Sequence, residues 1–221
     1  MVDLYRLVAE PRGIAPYEIP RDERLALARS VMPFIWPAFE TTVGTQRTDL
    51  LEVVDYDDAW PDRFEEWRGR IAVALGPVAR RIDHVGSTSV PGLPAKPIID
   101  IQVAVTDPRD EDAYVPSLAD EGLALRSRDE LHRYFRPLAG HPRAVHVHVC
   151  PTGSPWERDH LVFRDYLRTH PDDARRYTET KRRAVELWSD DGWGNNDAKT
   201  DVILDILEAA NDWAAASGWR V

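Results

Sequence analysis

The pattern of apolar and polar residues divides the chain into helical and strand-forming stretches. Phe64, Trp67, Ile71 and Leu75 recur every three or four positions, which predicts an amphipathic helix over residues 60–75. Further helices are predicted at 22–40, 110–121, 154–170, 171–189 and 196–217. Short apolar or alternating runs predict strands at 50–54, 80–85, 98–105, 123–127, 134–138 and 144–150. The pattern predicts an α+β protein with a short mixed β-sheet flanked by helices and a helical C-terminal third.

Two of the predicted strands carry polar residues that could take part in binding or catalysis. The run 98–105 is apolar apart from Asp100 and Gln102, which lie two apart and therefore face the same side. A carboxylate is expensive to bury unless it is paired or binds a metal. We interpret Asp100 as a metal ligand, with an ion pair to Lys96 or an arginine as the alternative. On strand 144–150, His146 and His148 share one face and could ligate a metal or serve as a base.

The segment between the strands at 80–85 and 98–105 is rich in glycine and hydroxyl side chains. Gly86 and Ser87 form a turn that predicts a phosphate site, because glycine lets an anion approach the backbone and serine adds a donor. A plain turn is the alternative. Thr88 and Ser89 extend the same segment, and their hydroxyls are expected to bind the nucleotide as well. The cationic candidates for a triphosphate are Lys96, Arg164 and Lys199.

The composition favours a globular protein and argues against a nucleic-acid-binding or membrane-spanning one. The chain has 221 residues, 43% of them hydrophobic, which suits one substantial globular core. Its net charge of -10 argues against a protein whose main task is to grip nucleic acid. Cys150 is the single cysteine, so no intramolecular disulfide forms, and a reducing cytoplasm is the expected location. No signal peptide is predicted, and no apolar run approaches the roughly 20 residues of a membrane span.

Several motifs occur together in a recognisable order. These are the stretches 53–57, 84–93, 96–101, 146–149 and 163–168, followed by Ala198 and Lys199. In this arrangement the chain resembles the GrpB-like family of the nucleotidyltransferase superfamily. The resemblance covers about residues 50 to 215. The predicted domains are therefore an N-terminal, partly helical extension over 1–49 and a nucleotidyltransferase-like (GrpB-like) domain over 50–221.

The resemblance implies a nucleotidyltransferase core and a site within it. Gly86 and Ser87 would bind a nucleotide phosphate, and Asp100 would bind Mg²⁺ or Mn²⁺. The expected activity is transfer of a nucleotidyl group from a nucleoside triphosphate to a small-molecule acceptor. Asp100, His148 and Gln102 are the expected catalytic residues, although Gln102 departs from the superfamily, which has a second acid at that position. His146 and His148 stand on the strand expected to carry the third acid, and His148 would act as a ligand or base.

Two alternatives belong to other functional classes. The replacement of an acid by Gln102 favours a catalytically silent module that binds a nucleotide or phosphometabolite without turnover. The three histidines His84, His146 and His148 could instead form the centre of a metal-dependent hydrolase. Pyrophosphate release separates the first alternative from the transferase, and metal analysis of the purified protein tests the second.

Overall fold

The computed structural model describes residues 8–14, 19–20, 23, 26–27, 52–187, 195–196 and 198–221. The chain divides into two compact units. One comprises Val53–Thr169, and the other draws on Met1–Glu52 and His170–Arg220. The predicted domains, 1–49 and 50–221, divide the chain at a different place, since they group the C-terminal helices with the sheet. Among the helices of the described ranges, none is long and apolar enough to cross a membrane.

The unit Val53–Thr169 is built on a five-stranded mixed sheet. Its strands are β1 (Arg81–Val85), β2 (Ile99–Val105), β3 (Leu123–Arg128), β4 (Arg133–Pro137) and β5 (Val145–Pro151). The spatial order is β1-β2-β5-β4-β3. β2 and β5 are parallel, and the other neighbouring pairs are antiparallel. The predicted short mixed sheet is therefore confirmed, with strand ends within a residue or so of the predicted ones.

Helices of both units complete the α+β fold. The sheet-bearing unit contains α1 (Trp60–Leu75), α2 (Val115–Asp120) and α3 (Pro155–Thr169). The other unit contains α4 (Pro171–Leu187) and α5 (Thr200–Ser217). The helical C-terminal part is thus confirmed. In this second unit Ala9 and Ile19 pack against Leu204, so part of the N-terminal extension belongs to a small core.

The two faces of the sheet differ in chemistry. On β2 and β5 the odd-numbered residues are fully buried in the main core, among them Ile101 and Val147 at 0% exposure. α1 adds Trp60, Phe64, Ile71 and Leu75 to this apolar side. The polar side chains stand at even-numbered positions, because successive residues of a strand face opposite sides. We call this second side the polar face; its polar members on β2 and β5 are Asp100, Gln102, His146 and His148.

Two of the predicted elements differ from the observed ones, and a third is left untested. The strand at 50–54 is reduced to a single bridge between Val54 and Ala95, and residues 50–51 lie outside the described part. The helix at 110–121 is broken into a 3₁₀ turn (Glu111–Ala113) and the short α2, since Tyr114 leaves the helical region and a proline begins α2. The helix at 22–40 lies mostly outside the described residues.

Candidate functional site

An acidic side chain and two imidazoles meet at the centre of the polar face. The parallel register of β2 and β5 sets Asp100 beside His146 and Gln102 beside His148. Asp100 Oδ1 lies 3.1 Å from His146 Nδ1 and 3.8 Å from His148 Nε2. One ligand atom from each of the three residues lies within 4.8 Å of the other two. The predicted metal ligands Asp100, His146 and His148 are therefore brought together.

The described partners of Asp100 concern the alternative of an ion pair with a lysine or arginine. Its ion pairs within the described ranges are with imidazoles, and none is with a lysine or arginine. Burial alone would raise the pKa of Asp100, but the hydrogen bond from His146 and the proximity of both imidazoles outweigh burial and hold that pKa well below its ordinary value. The carboxylate is thus ionised at neutral pH and about 30% exposed, which leaves it open to a ligand.

The imidazole of His146 is neutral at physiological pH. Burial lowers its pKa by more than the neighbouring Asp100 raises it. Its second nitrogen, Nε2, is buried and makes no hydrogen bond to any described residue. A neutral imidazole beside an ionised carboxylate is the protonation state that metal ligation requires.

The Gly-Ser turn stands directly against the Asp100 carboxylate. Gly86 has φ 68° and ψ -171°, a conformation essentially restricted to glycine. A Cβ added at Gly86 would lie 2.5 Å from Asp100 Oδ2 and 3.0 Å from Asp100 Cβ. The missing side chain at residue 86 is therefore what allows the turn and the acid to meet, and phosphate binding at this turn stays a prediction.

The hydroxyl groups of the turn have different roles. Ser89 Oγ donates to the carbonyl of Gly86 at 2.6 Å, and Thr88 Oγ1 donates to the carbonyl of Ile98 at 3.3 Å. Both side chains are buried and help to hold the turn, so neither hydroxyl is directed to a ligand. Ser87 is half-buried, and its hydroxyl makes no hydrogen bond to a described residue. Of the three predicted nucleotide-binding hydroxyls, that of Ser87 is the one available.

His84 lies on the opposite side of the sheet from the cluster. The antiparallel register pairs it with Ile101, a core residue. Its ring stacks on Phe64 with centroids 4.7 Å apart, and its Nε2 lies 2.9 Å from Thr88 Oγ1. Because burial lowers the pKa of His84 to about 4, the ring is neutral and supports the turn from behind. The expected set of His84, His146 and His148 is therefore not assembled, and Asp100 completes the cluster in place of His84.

Gln102 shares the polar face with Asp100 but is covered by α3. It is 0% exposed, and its Nε2 donates to the carbonyl of Glu157 at 3.3 Å. Glu157 follows Ser154, whose Oγ accepts the Glu157 N–H at 3.2 Å as the predicted helix cap requires. Gln102 thus anchors the start of α3 against the sheet. Its predicted role as a catalytic residue has no support from this geometry.

The predicted cationic contacts are dispersed. Arg164 Nε binds Asp165 at 2.7 Å and its Nη1 donates to the carbonyl of His84 at 3.1 Å, so the guanidinium is held at the β1 edge. Lys96 is half-buried in the loop before β2. Lys199 precedes α5 in the other compact unit, with Nζ 3.2 Å from Asn196 Oδ1. The role of these three cations toward a triphosphate stays a prediction.

A cleft of about 470 Å³ opens on the other side of the turn, along the edge strand β1. Its walls include Tyr56 and Phe64 from the α1 side, Thr88 and Ser89 from the turn, and Arg168 from α3. Arg168 donates from two nitrogens to the carbonyl of Ser89, at 3.1 and 2.7 Å. The turn therefore has the cleft on one side and Asp100 on the other.

A third histidine, which the sequence analysis did not single out, reaches the cluster from the turn before β4. His132 Nε2 lies 2.9 Å from His148 Nδ1, and His132 Nδ1 lies 3.7 Å from Asp129 Oδ2. The ring of His132 also stacks on Trp156, with centroids 4.7 Å apart. The apolar residues of the turn 129–132 follow neither a helical nor a strand periodicity. The only sequence signal for a functional role of His132 is the run of polar residues next to a strand.

The donor set fits a divalent cation of intermediate hardness. A carboxylate oxygen and two imidazole nitrogens suit Mn²⁺ and the later transition metals, whereas Mg²⁺ prefers oxygen ligands alone. The partly exposed carboxylate of Asp100 leaves one side open to further ligands. The residues can therefore hold a cation and still admit an anionic group next to the Gly-Ser turn.

Comparison with known proteins gives consistent matches. The family model described as GrpB protein matches residues 50–209. A UPF0157 protein of Streptomyces coelicolor is 44% identical over 71% of this chain and 82% of its own length. The crystal structure of the conserved protein GrpB from Enterococcus faecalis matches with a TM-score of 0.64 at 29% identity, over 72% of this chain and 98% of that chain.

A more distant match is the structure of a GLD-2/RNP-8 complex, with a TM-score of 0.43 at 16% identity. It covers 76% of this chain and 61% of that chain, and it is too distant to carry any chemistry over.

Proposed function

This chain belongs to the GrpB family, and we propose that its polar face binds a divalent cation together with a nucleoside triphosphate, for nucleotidyl transfer to a small-molecule acceptor. The observation that carries the proposal is the contact between Gly86 and Asp100. An ionised carboxylate with two imidazoles lies against a turn so closely that a Cβ there would sit 2.5 Å from the carboxylate oxygen. A cation bound to that carboxylate would therefore also neutralise an anion bound at the turn.

The cation site is assigned to Asp100, His146 and His148. Their ligand atoms lie within 4.8 Å of one another, so small side-chain movements would bring all three to a single ion. Charge supports the same assignment, because the ionised carboxylate of Asp100 and the neutral imidazole of His146 present a negative charge and a lone pair to a divalent ion. Of Mg²⁺ and Mn²⁺, Mn²⁺ is the expected ion, since two of the three donors are nitrogens.

The roles of the other residues follow from their positions. Ser87 would donate its hydroxyl to a phosphate oxygen, while Thr88 and Ser89 keep the turn in shape from within the protein. Such a cation would neutralise charge on the triphosphate and polarise its phosphoryl oxygens. In nucleotidyl transfer an acceptor oxygen bonds to the α-phosphorus, the bond to the β-phosphate oxygen breaks, and pyrophosphate leaves. The acceptor's proton would pass to a neighbouring base, and His148 is the candidate unless it is fully engaged as a ligand.

Isothermal titration calorimetry with Mn²⁺ and a panel of nucleoside triphosphates tests the binding part of the proposal. We expect the wild type to bind Mn²⁺, to bind at least one triphosphate more tightly with Mn²⁺ than without it, and to lose both effects in Asp100→Asn. Asp107→Asn is the matched control, because Asp107 is an exposed carboxylate paired with Arg109. Absence of binding by the wild type, or equal binding by Asp100→Asn, would overturn the assignment.

A second candidate function is binding without turnover. The position of the superfamily's second acid holds Gln102, which is buried and bonded to α3, so Asp100 is the one carboxylate of the described cluster. Two-metal chemistry needs more carboxylate ligands than this. Measurement of pyrophosphate release with candidate acceptors decides between the two. Release by the wild type that is lost in Asp100→Asn supports the transferase, and triphosphate binding with no release across the panel supports the binding module.

A further inference from the structure

The polar face continues from the cluster of Asp100, His146 and His148 onto β4. Antiparallel pairing sets Tyr134 opposite His148. The ring centroid of Tyr134 lies 5.2 Å from that of His146 and 5.1 Å from that of His148. Arg136 is the next residue of β4 on the same face, because side chains alternate along a strand. Its guanidinium carbon lies 5.8 Å from the Tyr134 ring centroid, so Tyr134 links the imidazoles to an arginine.

Two further arginines belong to this end of the polar face. On β3, Arg126 follows Leu125, which packs against the main core, so Arg126 faces the polar side. Its Nη2 donates to the carbonyl of Pro137 at 3.2 Å, which brings the guanidinium to the end of β4. Arg143 lies in the loop before β5. Burial lowers the pKa of His146 and the positive charge of Arg143 lowers it further, so this guanidinium lies near that imidazole.

These arginines present buried hydrogen-bond donors. We call the set the arginine triplet; its members are Arg126, Arg136 and Arg143. The Nε of Arg126 and the Nε of Arg143 are buried, and neither has a hydrogen-bond partner among the described residues. Native proteins rarely leave a buried N–H without an acceptor, because the unpaired donor is unfavourable. A bound group that accepts these hydrogens would remove that cost.

The hydroxyl of Tyr134 adds a donor beside the triplet. Burial raises the pKa of Tyr134, and the positive charges of Arg136 and Arg143 oppose this without cancelling it. The hydroxyl is therefore close to both guanidiniums and keeps its proton at neutral pH. Three positive charges of the triplet stand against the single carboxylate of the adjoining cluster. Donors and charge together suit an anion.

The arginine triplet and the Gly-Ser turn lie on opposite sides of the cluster. The strand order β1-β2-β5-β4-β3 places the turn, which follows β1, on one side of Asp100 and places β4 and β3 beyond His146. In the proposed reaction the triphosphate lies on the turn. An acceptor attacks the α-phosphorus roughly in line with the leaving pyrophosphate, so it approaches from the other side. The triplet is therefore on the side where the acceptor would bind.

We propose that the arginine triplet, with the hydroxyl of Tyr134, binds the anionic group of the acceptor, a phosphate or a carboxylate. Arginine recognises both groups, because its planar fork can donate two parallel hydrogen bonds to two oxygens of one group. The role of this ligand as acceptor rests on the proposed function. The inference narrows the substrate class to small molecules that carry an oxyanion and sets uncharged alcohols and amines aside.

Isothermal titration calorimetry of the metal-free, nucleotide-free protein tests the anion site. Phenyl phosphate, benzoate and benzyl alcohol share a ring and differ in the attached group. We expect the wild type to bind phenyl phosphate or benzoate, whichever oxyanion the site takes, and not benzyl alcohol. Arg143→Gln should bind that anion about 10–100-fold more weakly, since a charged hydrogen bond is lost. Arg143→Lys keeps the charge and should recover part of the affinity.

Arg126→Gln provides a second variant, and circular dichroism checks that both variants are folded. Arg109→Gln is the matched control, because Arg109 is exposed and paired with Asp107, and it should bind as the wild type does. A wild type that binds neither anion, or that binds benzyl alcohol equally well, would overturn the proposal. Wild-type affinity in both Arg126→Gln and Arg143→Gln would overturn it as well.

A second titration, with Mn²⁺ and a non-hydrolysable triphosphate analogue present, separates the acceptor from the triphosphate. We expect the anion to bind alongside the analogue with equal or higher affinity. Competition between the two that disappears in Arg143→Gln would assign the triplet to the triphosphate and overturn the proposal. If the wild type binds the anion but neither Mn²⁺ nor triphosphate, the proposed function fails and the anion site stands. If it binds Mn²⁺ and triphosphate but neither anion, the anion site fails and the proposed function stands.

Discussion

Substitution of Gly86 by alanine probes the contact on which the candidate site depends. The added Cβ would lie 2.5 Å from Asp100 Oδ2, 3.0 Å from Asp100 Cβ and 3.1 Å from Asp100 Cγ. It would also force a side chain into φ 68° and ψ -171°. The backbone strain costs about 2 kcal/mol, and the collision adds about 2 kcal/mol if the acid is displaced only in part. We expect Gly86→Ala to lower the free energy of unfolding by about 4 kcal/mol.

Urea denaturation followed by circular dichroism measures this loss, and thermal denaturation should show a Tm lower by about 8–16 °C. Gly92→Ala is the matched control, because Gly92 also has a positive φ, 77°, but nothing lies within 4 Å of its added Cβ. That control should lose only the conformational part, about 2 kcal/mol. The difference between the two variants isolates the contact with Asp100.

A double-mutant cycle assigns the difference to the carboxylate. In the Asp100→Ala background the oxygen 2.5 Å from the added Cβ is gone. Gly86→Ala should therefore cost about 2 kcal/mol less in that background, which is the coupling energy between the two residues. A Gly86→Ala variant no less stable than Gly92→Ala, or an equal cost with and without the Asp100 carboxylate, would refute the close approach.

Three further predictions concern other parts of the same unit. In the unfolded protein His84 takes up a proton near pH 6.5, and in the folded protein it does so only near pH 4. The free energy of unfolding should therefore fall as pH falls through this window, by at most about 3 kcal/mol. Urea denaturation at several pH values should show a shallower fall for His84→Gln, and an identical pH profile would contradict the burial of a neutral ring. Competition monitored by electron paramagnetic resonance should rank Mn²⁺ well above Ca²⁺ and Mg²⁺, whereas displacement of Mn²⁺ by an equal concentration of Mg²⁺ would speak against imidazole ligands. Glu111→Ala should lower the free energy of unfolding by about 2–3 kcal/mol, because the buried Arg133 loses its ion-pair partner. Asp107→Asn removes the charge of an exposed ion pair and should change the free energy of unfolding by less than about 1 kcal/mol. Equal losses of stability in the two variants would contradict a stabilising role of the buried pair.

The sheet could be predicted from the sequence because the apolar residues of its central strands follow the pattern of buried β-strands. In the run 144–150 every second residue is apolar, and Val145, Val147 and Val149 are indeed fully buried while His146 and His148 face the other side. The pairing of β2 with β5 was not predictable in the same way. Which histidine stands beside Asp100 depends on the register of two strands that are about 40 residues apart in the chain, and no local pattern encodes it.

The misplacement of His84 has a simple physical cause. The hydrolase alternative grouped His84 with His146 and His148, which requires all three side chains to face the same side of the sheet. His84 is the second-last residue of β1, which ends at Val85 before the turn at Gly86, so local alternation does not fix its face relative to β2 and β5. The neighbouring strand decides the face instead, and it pairs His84 with the core residue Ile101.

His132 illustrates what sequence patterns leave out. It lies in a polar turn with neither helical nor strand periodicity, and its contact with His148 arises from the antiparallel pairing of β4 with β5. The same holds for Gln102, which shares a face with Asp100 but is covered by the first turn of α3. Local spacing assigns a residue to a face of the sheet, and only the packing of other elements decides whether that position is open or closed.

The most direct test is the anomalous difference density of Mn²⁺ in a crystal soaked with MnCl₂ and a non-hydrolysable triphosphate analogue. We predict one strong peak at coordination distance from Asp100, His146 and His148, with a phosphate of the analogue between the ion and the Gly86–Ser87 turn. A peak elsewhere in the protein, or a fully ordered cluster with neither ion nor analogue at concentrations that saturate binding in solution, would contradict this assignment.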